Sequence, residues 1–183
     1  MISAEHRIEN RIIRSLGQLG YGGAPWIRHA KICRGGFGTV DLMVLPESGP
    51  RRLVLVEVKQ ENSGDAAGKV IGQLLLYYVG SLRLGTEGLK LLHDFALTAR
   101  AHDPTPKSLQ MLSGGCRRGE DWDALQRGRK LRPDEVALIV GLQKEPDDSL
   151  LALRTWVKDH SGLNIGIVVA GGAGPLKEIK EAA

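Results

Sequence analysis

Between residues 4 and 19 the apolar side chains recur at helical period. Ile8, Ile12, Ile13, Leu16 and Leu19 fall on one side, Arg7, Arg11, Arg14 and Gln18 on the other, and Gly20 follows as a stop. At about 100° per residue, Glu5 and Glu9 fall inside the apolar face, where an unpartnered carboxylate is costly. The pattern then shortens to period two. A weaker strand candidate runs from Trp26 to Cys33, and "GTVDLMVL" (38–45) and "RRLVLVEVK" (51–59) are β-rich runs on either side of the turn residues "PESGP", which predicts a hairpin. Residues 66–84 are apolar nearly all round and too long for a strand, so a buried helix is expected. A further helix is expected over 89–101. Residues 102–132 are rich in Gly, Pro and charge, with a short helix around Trp122 to Gln126. Strands within 134–143 and 164–172 then flank an amphipathic helix over 148–160, a β-α-β unit.

That order predicts an α/β fold: a central mixed sheet flanked by helices on both faces, with an α-β-β-β-α-β core. At 183 residues, a single domain is expected over 1–183, its core at 4–85 and 134–172 and an elaboration at about 86–133. The N-terminal residues are charged from Glu5 onward and no run reaches eighteen apolar residues, so a cytoplasmic protein without a membrane span is expected. Cys33 and Cys116 show neither a disulfide framework nor zinc-ligand spacing. The net charge of +4 and pI near 9.2 are compatible with nucleic acid without requiring it. Arg117, Arg118, Arg127, Arg129, Lys130 and Arg132 cluster within 117–132 and are candidates for phosphate contact, or equally a solvated surface.

Side chains alternate along a strand, so Glu57 and Lys59 share a face with Leu53 and Leu55, and Asp41 shares one with Met43 and Leu45. If the hairpin turns about Gly49, Asp41 lies opposite Glu57, with Cβ atoms about 5 Å apart. Two facing carboxylates need a divalent cation or a raised pKa to offset their repulsion. Mg²⁺ suits such a pair because it binds through one or two carboxylates and keeps waters for substrate phosphates. Lys59, about 7 Å along the same face, can orient a water and meet charge building on a phosphate. Glu-x-Lys alone is uninformative, arising about once by chance in a chain of this size; Glu178-Ile179-Lys180 repeats it in what looks like a charged tail.

The glycines of "RGGFGTV" (34–40) suggest the phosphate-covering loop of protein kinases, with Lys59 as the strand lysine. Cys33 stands where the first glycine belongs, Glu57 sits at the alanine position of V-A-I-K, and "DFA" at 94–96 has no H-R-D loop before it. A kinase assignment therefore fails. The order of features instead resembles the PD-(D/E)XK nuclease superfamily, the restriction-endonuclease-like fold, in its resolvase and RecB-like branches. Glu9 matches that family's helix glutamate, with Glu5 the competitor one turn earlier. Asp41, Glu57 and Lys59 match the aspartate and the (D/E)xK, and Gln73 and Tyr77 match Q-x-x-x-Y; Val40 replaces the name-giving proline.

The resemblance covers roughly residues 5–80. It implies a Mg²⁺- or Mn²⁺-dependent nuclease hydrolysing phosphodiesters of DNA, RNA remaining open. Asp41, Glu57 and Glu9 would be metal ligands, Lys59 the water- and charge-handling group, and Gln73 and Tyr77 supporting residues. It also allows a two-fold homodimer. A different class, a non-catalytic nucleic-acid-binding or assembly module with the same fold, is the alternative. The five histidines have no ligand spacing and receive no chemistry. "GGAGP" (171–175) is expected to be a flexible exit, in preference to an anion-binding loop.

Overall fold

The computed structural model describes residues 3–30, 38–60, 64–100, 123–172 and 174–180. The chain forms a mixed six-stranded sheet with strands in sequence order: β1 (Trp26–Ala30), β2 (Val40–Val44), β3 (Leu53–Lys59), β4 (Val136–Leu142), β5 (Ile165–Val169) and β6 (Lys177–Glu178). β1, β2 and β3 are antiparallel neighbours, β3, β4 and β5 run parallel, and β6 returns antiparallel to β5. Helices α1 (Ala4–Arg14), α2 (Gly64–Ser81), α3 (Thr86–Arg100) and α4 (Asp148–Ser161) cover both faces. No helix among the described residues is long and apolar enough to cross a membrane.

Alternation along β3 divides the core. Leu53 and Leu55 face the larger cluster with Ile71 and Leu74 of α2, Leu89 and Leu92 of α3, and Leu150 and Val157 of α4. Val54, Val56 and Val58 face Ile8, Ile12 and Leu16 across the sheet. Gly141 of β4 sets how closely α1 approaches: a Cβ there would stand 2.5 Å from Ile12 Cδ1. The segment expected as an elaboration also contributes to the core, through α3, Leu125 and Leu131.

Ser3 opens α1, its hydroxyl accepting from His6 N–H at 3.1 Å. The helix ends at Arg14, short of the expected residue 19. From Ser15 the backbone tightens into i,i+3 bonds, Gln18 N–H to Ser15 O at 2.9 Å among them, while the apolar side chains stay inward. Arg11, expected on the wet face, donates to the carbonyls of Ala170 (2.9 Å), Gly172 and Gly174. The "GGAGP" loop thus presents carbonyl acceptors to a cation, the reverse of an anion site. Nor is the C-terminal segment a strandless tail, because Lys177 and Glu178 pair with Val169 and Val168. A two-residue strand of charged side chains carries no periodicity from which it could be read.

Candidate active site

The hairpin register pairs Leu42, Met43 and Val44 with Val56, Leu55 and Val54, and Gly49 in the turn has φ of 89°. Continued by one residue, it sets Asp41 beside Glu57, as expected from the sequence. Here the backbone ladder gives way. Asp41 Oδ2 takes the Val58 N–H at 2.7 Å in place of a main-chain acceptor. This parts β2 from β3 at the end of the sheet where the parallel strands terminate, the usual place for a site in such sheets.

Glu57 is 1% exposed. Its Oε1 accepts from Lys59 Nζ at 2.7 Å, while its Oε2 is buried with no hydrogen-bond partner. Burial, followed by the Asp41 charge, pushes the Glu57 carboxyl up to about 7 against the pull of Lys59. Burial disfavours the Lys59 ammonium, but the hydrogen bond to Glu57 and the charges of Glu57, Asp41 and Glu5 outweigh it and raise its pKa. The pair therefore has a lone carboxylate oxygen and a firmly cationic amine.

From α2, Tyr77 donates its hydroxyl to Thr39 O at 2.8 Å, fixing the entry to β2. Burial and the charges of Glu57 and Asp41 raise its pKa further above the usual value, with the Gln73 amide opposing. Gln73 Oε1 is likewise buried without a partner. Gln73 lies one turn before Tyr77 and acts on its hydroxyl, and Tyr77 in turn feels the charge of both acids. Gly38 (φ 74°) allows the chain to pass Tyr77, since an added Cβ would stand 3.0 Å from its ring.

Glu9 is the buried acid of α1, at 2% exposure, whereas Glu5 is exposed. From the sequence Glu9 is expected as a third ligand beside Asp41 and Glu57, and the Asp41 charge does act on it. Among the described residues no three His, Cys, Asp or Glu side chains gather closely enough to hold one ion. Glu9 Oε2 lies 3.4 Å from Arg28 Nε, yet neither atom has a hydrogen-bond partner, so the pair is close without being aligned. Burial raises Glu9 to about 7, with Arg28 opposing and the charges of Asp41 and Glu5 adding to the rise. Arg28 in turn donates to Asn10 Oδ1 at 2.6 Å and lies 2.9 Å from His6 Nε2.

Two histidines missed in the sequence border this acid. His6 Nδ1 is 3.7 Å and His29 Nε2 4.0 Å from Glu9. His29 falls between the Arg28–Leu42 and Ala30–Val40 pairs, hence across from Asp41, and has φ of 49°, a conformation unfavourable for a residue with a Cβ. The helical spacing of His6 and Glu9 was the available signal for the first. The second required the β1–β2 register.

The basic cluster is not assembled around this site. Arg129 grips Glu135 with two bonds of 2.7 and 2.9 Å, Lys130 Nζ donates to the Arg83 and Gln126 carbonyls, and Arg132 Nε lies 3.3 Å from Asp134. With the Arg132 N–H also donating to it, Glu135 falls to about 2, the Arg129 hydrogen bonds being the main cause. These residues precede Val136, the first of β4, whereas Glu57 and Lys59 pair with Val140 and Leu142, about 13–20 Å further along the strand. Arg129, Lys130 and Arg132 are therefore each held by partners within the protein. Arg127 is exposed in the same segment, and Arg117 and Arg118 lie outside the described residues, as do Cys33 and Cys116.

Comparison with protein-family models, curated proteins and solved structures gives no match for this chain.

Proposed function

We propose that this chain is a divalent-metal-dependent nuclease with a restriction-endonuclease-like core, acting on phosphodiesters of DNA. The observation that carries the proposal is the meeting of Asp41, Glu57 and Lys59 where β2 parts from β3, with Tyr77 beside them from α2. The donor set suits a hard cation: two adjacent carboxylates that destabilise one another, one with a buried oxygen lacking any partner. Asp41 and Glu57 would hold it, and Glu9 would shape the field from the other side of the gap. When bound, such an ion supplies positive charge beside the scissile phosphate and a water more easily deprotonated at neutral pH.

The chain's own groups account for the rest. Water adds to phosphorus and loses a proton, the P–O ester bond breaks, and the departing oxygen takes up a proton. Lys59, anchored by Glu57, orients the water and stabilises the negative charge that grows on the phosphate oxygens.

Replacing Lys59 by Ala tests this directly. With Mg²⁺ or Mn²⁺, wild-type protein should cleave DNA and the variant should lose at least about 100-fold in rate, with melting temperature and DNA affinity little changed. Equal cleavage by the variant would remove Lys59 from its role. Calorimetry without metal heat, together with no turnover on DNA or RNA, would turn the assignment to a non-catalytic binding module.

A further inference from the structure

A cavity of about 970 Å³ lies at the opposite end of the sheet from Glu57, around Val136 and Ile165, the first residues of β4 and β5. Arg154 of α4 lines it. This side chain is only 4% exposed and sits among the apolar residues on the inner side of its helix, between Leu150 and Val157. One terminal nitrogen, Nη1, donates to Ile179 O at 3.0 Å, and Nε is buried with no acceptor. Among the described residues no carboxylate approaches Arg154 within ion-pairing distance. Two acids also line the cavity: Asp134, 3.3 Å from Arg132, sets its charge near Tyr78, and Glu178 alternates with Ile179 onto the other face of the sheet, where its charge acts on Tyr21.

A guanidinium cannot discard its proton to escape burial, so without an anion it is an uncompensated charge. Its planar fork is matched to oxyanions with two oxygens in one plane. Tyr78, also on the cavity wall and 8% exposed, has no hydrogen bond to its hydroxyl among the described residues and can supply a neutral donor.

We propose that Arg154 forms the base of a binding site for a small oxyanion, a phosphate or carboxylate group, that enters the cavity and completes its charge, with Tyr78 as the second donor. The site is separate from the acids at the far end of the sheet. It does not depend on the nuclease assignment.

Isothermal titration of the full chain with sodium phosphate and, separately, sodium acetate, at fixed pH and ionic strength, tests it. Wild-type protein should bind one of the two with one-to-one stoichiometry and melt at higher temperature in its presence. Heat from phosphate alone would identify a phosphorylated ligand, and heat from acetate alone a carboxylate. Arg154→Met should weaken binding by at least about tenfold, and Tyr78→Phe by less. Because a methionine fills the space without a charge, Arg154→Met should melt no lower than wild type in the absence of anion. Three results would overturn the proposal: no binding of either anion, undiminished binding by Arg154→Met, or a large loss of stability in that variant without anion. The last would make the bond to Ile179 the purpose of the residue.

Discussion

Replacing Glu9 by Gln isolates the energetic consequence of placing an acid on the apolar face of α1. The wild-type carboxyl has an ordinary value of 4.5 when unfolded and about 7 when folded, because burial outweighs the unaligned Arg28. Below pH 4.5 both states are protonated and the folded state carries no penalty. As pH rises, the unfolded chain releases the proton first, so stability declines and the decline is complete once pH has passed 7. At about 1.4 kcal/mol per tenfold the loss by pH 8 is at most about 3 kcal/mol, and about half of that is expected once water reaches the ionised group. Glu57, also held near 7, adds its own decline. Urea unfolding between pH 5 and 8 should therefore show wild-type stability falling, with roughly half the slope in Glu9→Gln and near-equal stabilities at pH 5. An unchanged slope, or a Glu9→Gln protein less stable than wild type at pH 8, would refute the account and make the Arg28 pair a net stabiliser.

Tyr77→Phe removes the hydroxyl bond to Thr39 O and should lower stability by about 1 kcal/mol, read by denaturant unfolding, with a further loss of cleavage rate as the entry to β2 loosens. Gly141→Ala places a methyl against Ile12 and should destabilise by about 1–3 kcal/mol; adding Ile12→Val, which deletes the clashing Cδ1, should recover part of this in a double-mutant cycle. Arg129→Ala leaves Glu135 with fewer partners. A lower melting temperature is expected, with DNA affinity unmoved.

The acids of the site were legible where local rules place side chains. Strand alternation and a turn about Gly49 set Asp41 beside Glu57, and helical period put Glu9 inside, as its burial shows. Gln73 and Tyr77 were named only through the resemblance to Q-x-x-x-Y, and their spacing of four places both on one side of α2. What was not legible depends on pairing between distant elements. Arg28 meets Glu9 only because β1 docks beneath α1, and His29 reaches the site through a backbone twist that a histidine does not advertise. The partners of the basic cluster were illegible for a related reason: charge density says nothing of whether Arg129 faces solvent or an acid six residues on, as it does here with Glu135. Likewise, α3 began at Thr86 instead of Leu89 because its first turn holds few apolar side chains.

The Asp41 carboxylate receives the amide of Val58 as if it were part of the main chain. One proton at the open end of the hairpin is therefore tethered to the acid that the proposed chemistry would engage. Any event that draws on that carboxylate, whether a bound cation, protonation or an approaching phosphate, alters the shielding of a single backbone nucleus. The Val58 amide resonance and its exchange with deuterium would thus serve as a built-in gauge of the state of the site, readable without substrate and without altering a residue.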